Sequence, residues 1–370
     1  MGAWSTARAL VRSAVFVFSS TPSVLSRPVA WVTRGPVIER LSLDTPRGRV
    51  EAELYRPDAP APHPGVVACF GVVPVEATDP RVKQIGEGLA RSGFAALLYW
   101  SPTMRDLRLE PGDIAELTSA YEALLRQPSV DPARSGFMGV CVGGSFALMA
   151  AASPSIRERV TFISAYAPYS SMWTLAADIA SGTRTLGDDR EHWDVDPLTW
   201  KTYVRSVTGW LRPTDAQRLR EAFEDRVTWN ATKTAIIISA AGAVDETELS
   251  DDGRAIFRLL RAGRDDVQSA LQRLPATAKE LLDAMSPIRY VKDIAAPTIV
   301  LLHDRDDHVI PVGESRRLWS ALAPTHPGAR YTEMHLNHLR VPKGWSPLQF
   351  ARELFRSYRA VYPLFRETTA

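Results

Sequence analysis

The chain has 370 residues, of which 44 are Lys or Arg and 42 are Asp or Glu, for a formal charge of +2. With 45% hydrophobic and 23% charged residues it has the mix of a folded globular protein, which excludes a disordered chain. The near-neutral balance gives no electrostatic reason to bind nucleic acid, and two cysteines, Cys69 and Cys141, exclude a disulfide scaffold.

The first 38 residues carry Arg8, Arg12, Arg27 and Arg34 and no acid before Glu39. Residues 4–18 draw as a basic amphipathic helix. The apolar stretch 14–18 is short for a secretory signal, and Gly2 with Thr6 fits a myristoylation pattern that matters only in a eukaryote. A leader of residues 1–36 that packs on its own domain is the expectation. A transit peptide or membrane-surface helix is the alternative. Apolar runs elsewhere are too short to cross a bilayer, and a cytoplasmic location is expected.

From residue 37 strands and helices alternate. Residues 37–43 and 49–55 read as a hairpin around Thr45-Pro46-Arg47-Gly48. Buried strands are predicted at 65–70, 94–100, 135–140 and 160–165. Helices are predicted at 81–92, 114–126 and 145–152, the second with apolar positions at 114, 117, 121, 124 and 125. Residues 171–285 break the rhythm. They offer helices at 215–226, 251–261, 265–274 and 277–285, one strand-like piece at 235–239, and tryptophans 173, 193, 200, 210 and 229. Alternation resumes with a strand at 298–303, a helix at 314–322, a strand at 330–334 and a closing helix at 348–358. The pattern implies a mainly parallel sheet covered on both faces, formed by residues 37–170 and 286–370 and interrupted by a helical cap over 171–285.

The chemistry centres on Gly139-Val140-Cys141-Val142-Gly143-Gly144, between a strand and a helix. This is the nucleophile-elbow pattern with Cys in the usual Ser place. A sharp strand-to-helix turn needs small residues on both sides of the nucleophile. The helix N-terminus favours a thiolate, and the amide of Val142 faces the developing oxyanion. Ser145, one turn later, is the fallback nucleophile. An acid and a base should follow, each at the C-terminal end of a later strand. For the acid, Asp304, Asp306 and Asp307 compete; Asp307, four residues before Pro311, is preferred. For the base, His335 and His338 compete; His338, in a loop that lets its ring swing, is preferred. The loop Phe70-Gly71-Val72 follows the strand that neighbours the elbow. Gly71 allows its turn and is expected, with Trp173, to border the substrate pocket, and Val72 is the candidate second oxyanion donor. Trp173, the first cap tryptophan, is expected to line the acyl pocket, although cap tryptophans more commonly fill a core. Cys69 is expected to be a quiet buried thiol. His303 and His308 with their aspartates are read as part of the acid loop, with no metal and no cofactor.

On these residues the chain resembles α/β hydrolases, and among them the dienelactone hydrolase family. The likeness rests on the Cys-containing elbow, Phe70-Gly71-Val72, Val130-Asp131-Pro132 before the elbow strand, and the late Asp307 and His338. It implies hydrolysis of an ester, lactone or thioester of a small-molecule substrate through a Cys141-His338-Asp307 triad. Ala68 stands where dienelactone hydrolases carry a glutamate, and the family lacks so large an insertion, so a broader ester is expected. The chain is also similar to polyhydroxyalkanoate synthases, through the same Cys box, Asp307-His308-Val309-Ile310-Pro311, and Trp100-Ser101-Pro102 with Asp106 and Leu109. That likeness implies a thioester-using acyltransferase. A catalytically inert binding protein on the same fold is the third reading.

Overall fold

Apolar runs with both faces buried build the sheet. The computed structural model describes residues 3–20, 23–72, 79–186, 189–230, 235–237, 244–335 and 344–369. Strands β1 (Val37–Thr45) and β2 (Gly48–Arg56) form the antiparallel hairpin, closing at Thr45 and Gly48. Then come β3 (His63–Cys69), β4 (Ala95–Tyr99), β5 (Val130–Val140), β6 (Phe162–Tyr166), β7 (Thr298–Asp304) and β8 (Ala329–Met334), mutually parallel. Their order across the sheet is β1-β2-β4-β3-β5-β6-β7-β8. In β3, Val66 and Ala68 enter one core cluster while Val67 and Cys69 enter the other, the two-residue period of a strand covered on both sides.

Helices α1 (Ala3–Ser19), α3 (Pro80–Arg91) and α13 (Pro347–Glu367) cover one face, with α2 (Ser23–Val32) beside α1. Helices α4 (Gly112–Leu125), α5 (Val142–Ala151) and α12 (Val312–Leu322) cover the other. The leader is docked through Arg12. Its Nε donates to the Ser92 carbonyl at 2.5 Å, and its Nη1 donates to the Thr368 carbonyl at 3.2 Å and Thr369 Oγ1 at 3.0 Å. The guanidinium lies 5.2 Å from the Phe94 ring centre and 5.7 Å from that of Phe365. Burial, with the charges of Arg134 and Arg8, lowers its pKa to about 10.

Between β6 and β7 the chain leaves the sheet for α6 (Met172–Ser181), α7 (Pro197–Thr208), α8 (Pro213–Phe223), α9 (Asp251–Arg261), α10 (Val267–Gln272) and α11 (Ala276–Ala284). Side-chain caps start three of them: Ser171 Oγ accepts from the Trp173 amide, Asp196 Oδ1 from Leu198, and Ser250 Oγ from Gly253. Two short hairpins also occur, Thr183–Leu186 with Asp189–His192 and Val227–Trp229 with Ala235–Ile237. The first was not expected from sequence, because Thr-Arg-Thr-Leu and Asp-Arg-Glu-His carry no apolar alternation. Buried Glu314 of α12 ties the start of the insertion to the sheet domain. Its Oε2 accepts from the Ser170 amide (2.7 Å), Ser170 Oγ (2.5 Å) and the Ser171 amide (3.2 Å), and its Oε1 from Thr174 Oγ1 (2.7 Å).

Candidate active site

Cys141 stands between β5 and α5 at φ +58°, ψ −136°, a conformation that side-chain-bearing residues rarely adopt. Its amide donates to the Tyr166 carbonyl at 2.7 Å, and its carbonyl accepts from the Gly144 amide at 2.9 Å. The neighbouring glycines explain how the turn closes. A Cβ at Gly143 would lie 2.5 Å from the Cys69 carbonyl oxygen and 2.6 Å from the Gly71 nitrogen. One at Gly139 would lie 2.5 Å from the Gly144 Cα. Gly71, at φ +67°, packs against Gly143 and Val142 of the elbow and, contrary to expectation, is not among the residues lining the Cys141 cavity, because its one free face is taken up by that close backbone contact.

Cys141 is 6% exposed and borders a narrow cavity of about 40 Å³. Val142 and Val72 line the same cavity. Burial first, then the negative charges of Asp307 and Asp196, push the Cys141 thiol up to about 12 against the pull of the Val142 backbone. The helix N-terminus expected to favour a thiolate is outweighed by desolvation, so the thiol needs a base. Ser145 is committed elsewhere: its Oγ accepts from the Tyr169 amide at 2.9 Å and reaches the Tyr169 carbonyl at 3.2 Å. Cys69 is buried and a free thiol, as Cys141 is, and burial raises its pKa.

The three candidate acids separate cleanly. Asp306 is exposed, whereas Asp304 and Asp307 are buried. Asp304 Oδ2 accepts the Tyr166 hydroxyl. Asp307 Oδ1 accepts the amides of Val309 (2.7 Å) and Ile310 (3.1 Å), and both of these residues line the Cys141 cavity. Asp307 Oδ2 lies 3.7 Å from His303 Nε2. That ring is fixed by the Ile310 carbonyl at 2.9 Å and, through Nδ1, by Ser315 Oγ at 2.6 Å. His338 lies outside the described residues. His335 ends just after β8, half-buried, with its amide donating to Glu353 Oε2 at 3.3 Å. Among the described residues no group of three or more His, Cys, Asp and Glu is placed to hold a metal ion.

The insertion roofs this cavity with Met172, Leu175 and Ile179 of α6 and Leu198, Thr202 and Tyr203 of α7. Trp173 is turned away from that lining; its indole N–H donates to Asp283 Oδ1 at 2.9 Å. Helical geometry is the reason: successive residues point about 100° apart, so Met172 and Trp173 cannot share one face. Trp193 and Trp200 are buried in the insertion, as core fillers. Sequence reasoning missed the role of α7. Its N-terminus meets the acid loop, the Asp196 amide donating to the His308 carbonyl at 3.3 Å and Thr199 Oγ1 to the Val309 carbonyl at 3.0 Å. The Asp196-Pro197 pair, a helix-start signature, was the available signal. A second cavity of about 250 Å³ shares Leu109, Met172 and Ser206 with the first and extends past Trp210 to Leu282 and Met285.

No protein-family model matches the chain. Over 128 residues it is 31% identical to the bile acid-CoA:amino acid N-acyltransferase of Mus musculus, covering 34% of this chain and 29% of that protein. Over 127 residues it is 31% identical to the "probable 2-oxo-3-(5-oxofuran-2-ylidene)propanoate lactonase" of Bradyrhizobium sp, covering 30% of this chain and 50% of that protein. These matches span half or less of each curated relative. Among solved structures, a Mycobacterium tuberculosis puromycin-hydrolyzing peptidase superposes with a TM-score of 0.52 at 20% identity, over 92% of this chain and 41% of that one. Acylaminoacyl peptidase of Pyrococcus horikoshii gives 0.51 at 13%, over 90% and 41%. Together with the strand order, these likenesses show that the chain has the α/β-hydrolase fold.

Proposed function

We propose that the protein is an acyl hydrolase with Cys141 as nucleophile, Asp307 as orienting acid and His338 as base. The observation that carries this reading is Cys141 itself: a strained residue at a strand-to-helix turn, facing a roofed cavity that Val142 also lines. A thiol held near 12 is inert until a neighbouring base removes its proton. His338 takes that proton as the sulfur attacks the carbonyl carbon of an ester, lactone or thioester. The carbonyl oxygen becomes an oxyanion held by the amides of Val142 and Val72. On collapse the C–O or C–S bond to the leaving group breaks, and His338 returns the proton to that group. Water, deprotonated by the same base, then releases the acid and restores the thiol. Asp307, locked by the amides of Val309 and Ile310, holds the base and balances its positive charge. The lactonase relative supports the substrate class. The second cavity, behind Leu109 and Met172, is suited to an apolar acyl chain, because an apolar cavity of roughly 150 Å³ already admits benzene.

A second reading has a specific observation in its favour. The mouse relative is by name an acyl-CoA N-acyltransferase, so an amine acceptor could replace water in the second step. One experiment separates the two. The purified chain is given p-nitrophenyl esters and acyl-CoA thioesters of two to ten carbons, with and without an amino acid acceptor. Free acid in both conditions supports hydrolysis, and an N-acyl product formed with the acceptor supports transfer. A folded protein that releases neither product from any donor refutes both.

A further inference from the structure

We infer that α1, α2 and α13 form a docking face for an anionic lipid bilayer surface. Three contacts show that α1 and α13 lie side by side and run in parallel. Leu10 meets Tyr358, whose hydroxyl lies 3.4 Å from the Leu10 carbonyl; Phe16 meets Phe365, with ring centres 5.8 Å apart; and Arg12 reaches Thr368. Their outward ridges are therefore adjacent. On α13 the exposed ridge reads Leu348, Arg352, Phe355 and Arg359, spaced by four, three and four residues, one stripe of a helix. On α1 the exposed ridge reads Trp4, Arg8 and Val11, with the same spacing. Arg27, Trp31 and Val32 of α2, the helix packed beside α1, are exposed as well.

The exposure is extreme for such residues. Trp4 is 85% exposed, Trp31 82%, Val32 83%, Leu348 79% and Phe355 60%. Large apolar side chains gathered on one face mark an interaction surface. Arginines interleave with them, and the first 38 residues contain no acid. Glu353 of α13 is turned inward and paired with Arg356. A face of tryptophan, leucine, phenylalanine and arginine, with no fully exposed acid among the described residues of α1, α2 and α13, matches a lipid headgroup layer, where aromatic rings take the interface and arginine stems snorkel to phosphates. A second copy would bring arginine against arginine, so charge complementarity selects an anionic partner. No described helix is long and apolar enough to cross a membrane, so the contact is peripheral.

The test uses the full chain and sedimented vesicles of phosphatidylcholine alone or with one quarter phosphatidylglycerol. The expected result is partition onto the anionic vesicles at least tenfold stronger than onto neutral ones, weakening as salt is raised. Tryptophan fluorescence should be quenched by brominated lipid, and the quenching should fall in Trp4→Ser/Trp31→Ser. Combined Arg8→Gln, Arg352→Gln and Arg359→Gln should weaken partition tenfold or more; these side chains are exposed, and circular dichroism checks the fold. Absence of partition, equal partition onto neutral vesicles, or an unaffected arginine variant overturns the inference. So does self-association that shields Trp4 from acrylamide and leaves brominated lipid without effect. The salt titration of the unmodified chain needs no variant.

Discussion

A single methyl group at position 143 should disable the elbow. In Gly143→Ala the new Cβ would fall 2.5 Å from the Cys69 carbonyl oxygen and 2.6 Å from the Gly71 nitrogen. Both are backbone atoms, one at the end of β3 and one in the loop after it, so no rotamer change relieves the clash. Either α5 or the loop must move by roughly an ångström. Overpacking costs about 1–3 kcal/mol, and backbone on two sides puts this site at the upper end. The gain in helix propensity returns at most about 1 kcal/mol, leaving a net loss of about 2 kcal/mol. Because Val142 and Cys141 ride on the same turn, acyl-ester turnover should fall on the order of a hundredfold, the cost of ~1 Å misplacement. Gly263, whose Cβ would meet nothing within 4 Å, is the control: Gly263→Ala should be neutral or stabilising by up to about 1 kcal/mol. Urea unfolding followed by circular dichroism, with ester hydrolysis in parallel, reads both. A Gly143→Ala protein as stable and active as the parent refutes the packing argument.

Asp307→Asn should keep the fold and lower turnover by about 10²–10⁴-fold, whereas Asp304→Asn, which removes the charge that strengthens the Tyr166 hydroxyl contact, should cost stability more than rate; steady-state kinetics and thermal unfolding separate them. Burial, with the nearby Glu314 charge, raises Asp178 to about 7, against Arg317 and Arg190. Its proton therefore stabilises the folded chain fully below about pH 4, and that stabilisation is lost as pH rises to 7. Asp178→Asn should flatten this slope and gain on the order of 2–4 kcal/mol on the parent at pH 8 relative to pH 4, read by guanidinium unfolding at both pH values. Tyr203→Ala and Leu198→Ala should change the ratio of octanoyl to acetyl ester kcat/KM several-fold, whereas Trp229→Ala, on the outer surface, should leave the ratio unchanged.

Much of the sheet was legible because its strands are uninterrupted apolar runs. Residues 65–70, 94–100 and 298–303 each fall within a residue or two of a real strand. The strand at 135–140 begins earlier, at Val130, because Pro132 and the register shift opposite Pro64/Gly65 hide its first half from any alternation pattern. The sharp turn at Cys141 was readable since the glycine spacing around it reflects a steric need that is local in sequence. Choosing Asp307 over Asp304 and Asp306 depended on a local cue, the distance to Pro311. Which side chains of the roof face the cavity was not readable. Met172 rather than Trp173 faces the cavity because helix phase is set by packing against Glu314 and Asp283, contacts made over 100 residues away in the chain. Tyr203 and Leu198 enter through the same kind of distant docking, that of α7 on the acid loop. Arg12 as the anchor of α1 emerges only once Ser92 and Thr368 meet around it.

The central claim is that the Cys141 sulfur becomes acylated. The most direct measurement mixes the protein with an octanoyl p-nitrophenyl ester, quenches in acid within milliseconds to seconds, and maps the adduct by mass spectrometry. The account expects an octanoyl group on the peptide carrying Cys141, lost on the same timescale as turnover and absent in Cys141→Ala. Turnover that persists in Cys141→Ala, or an adduct carried by another residue, would contradict it.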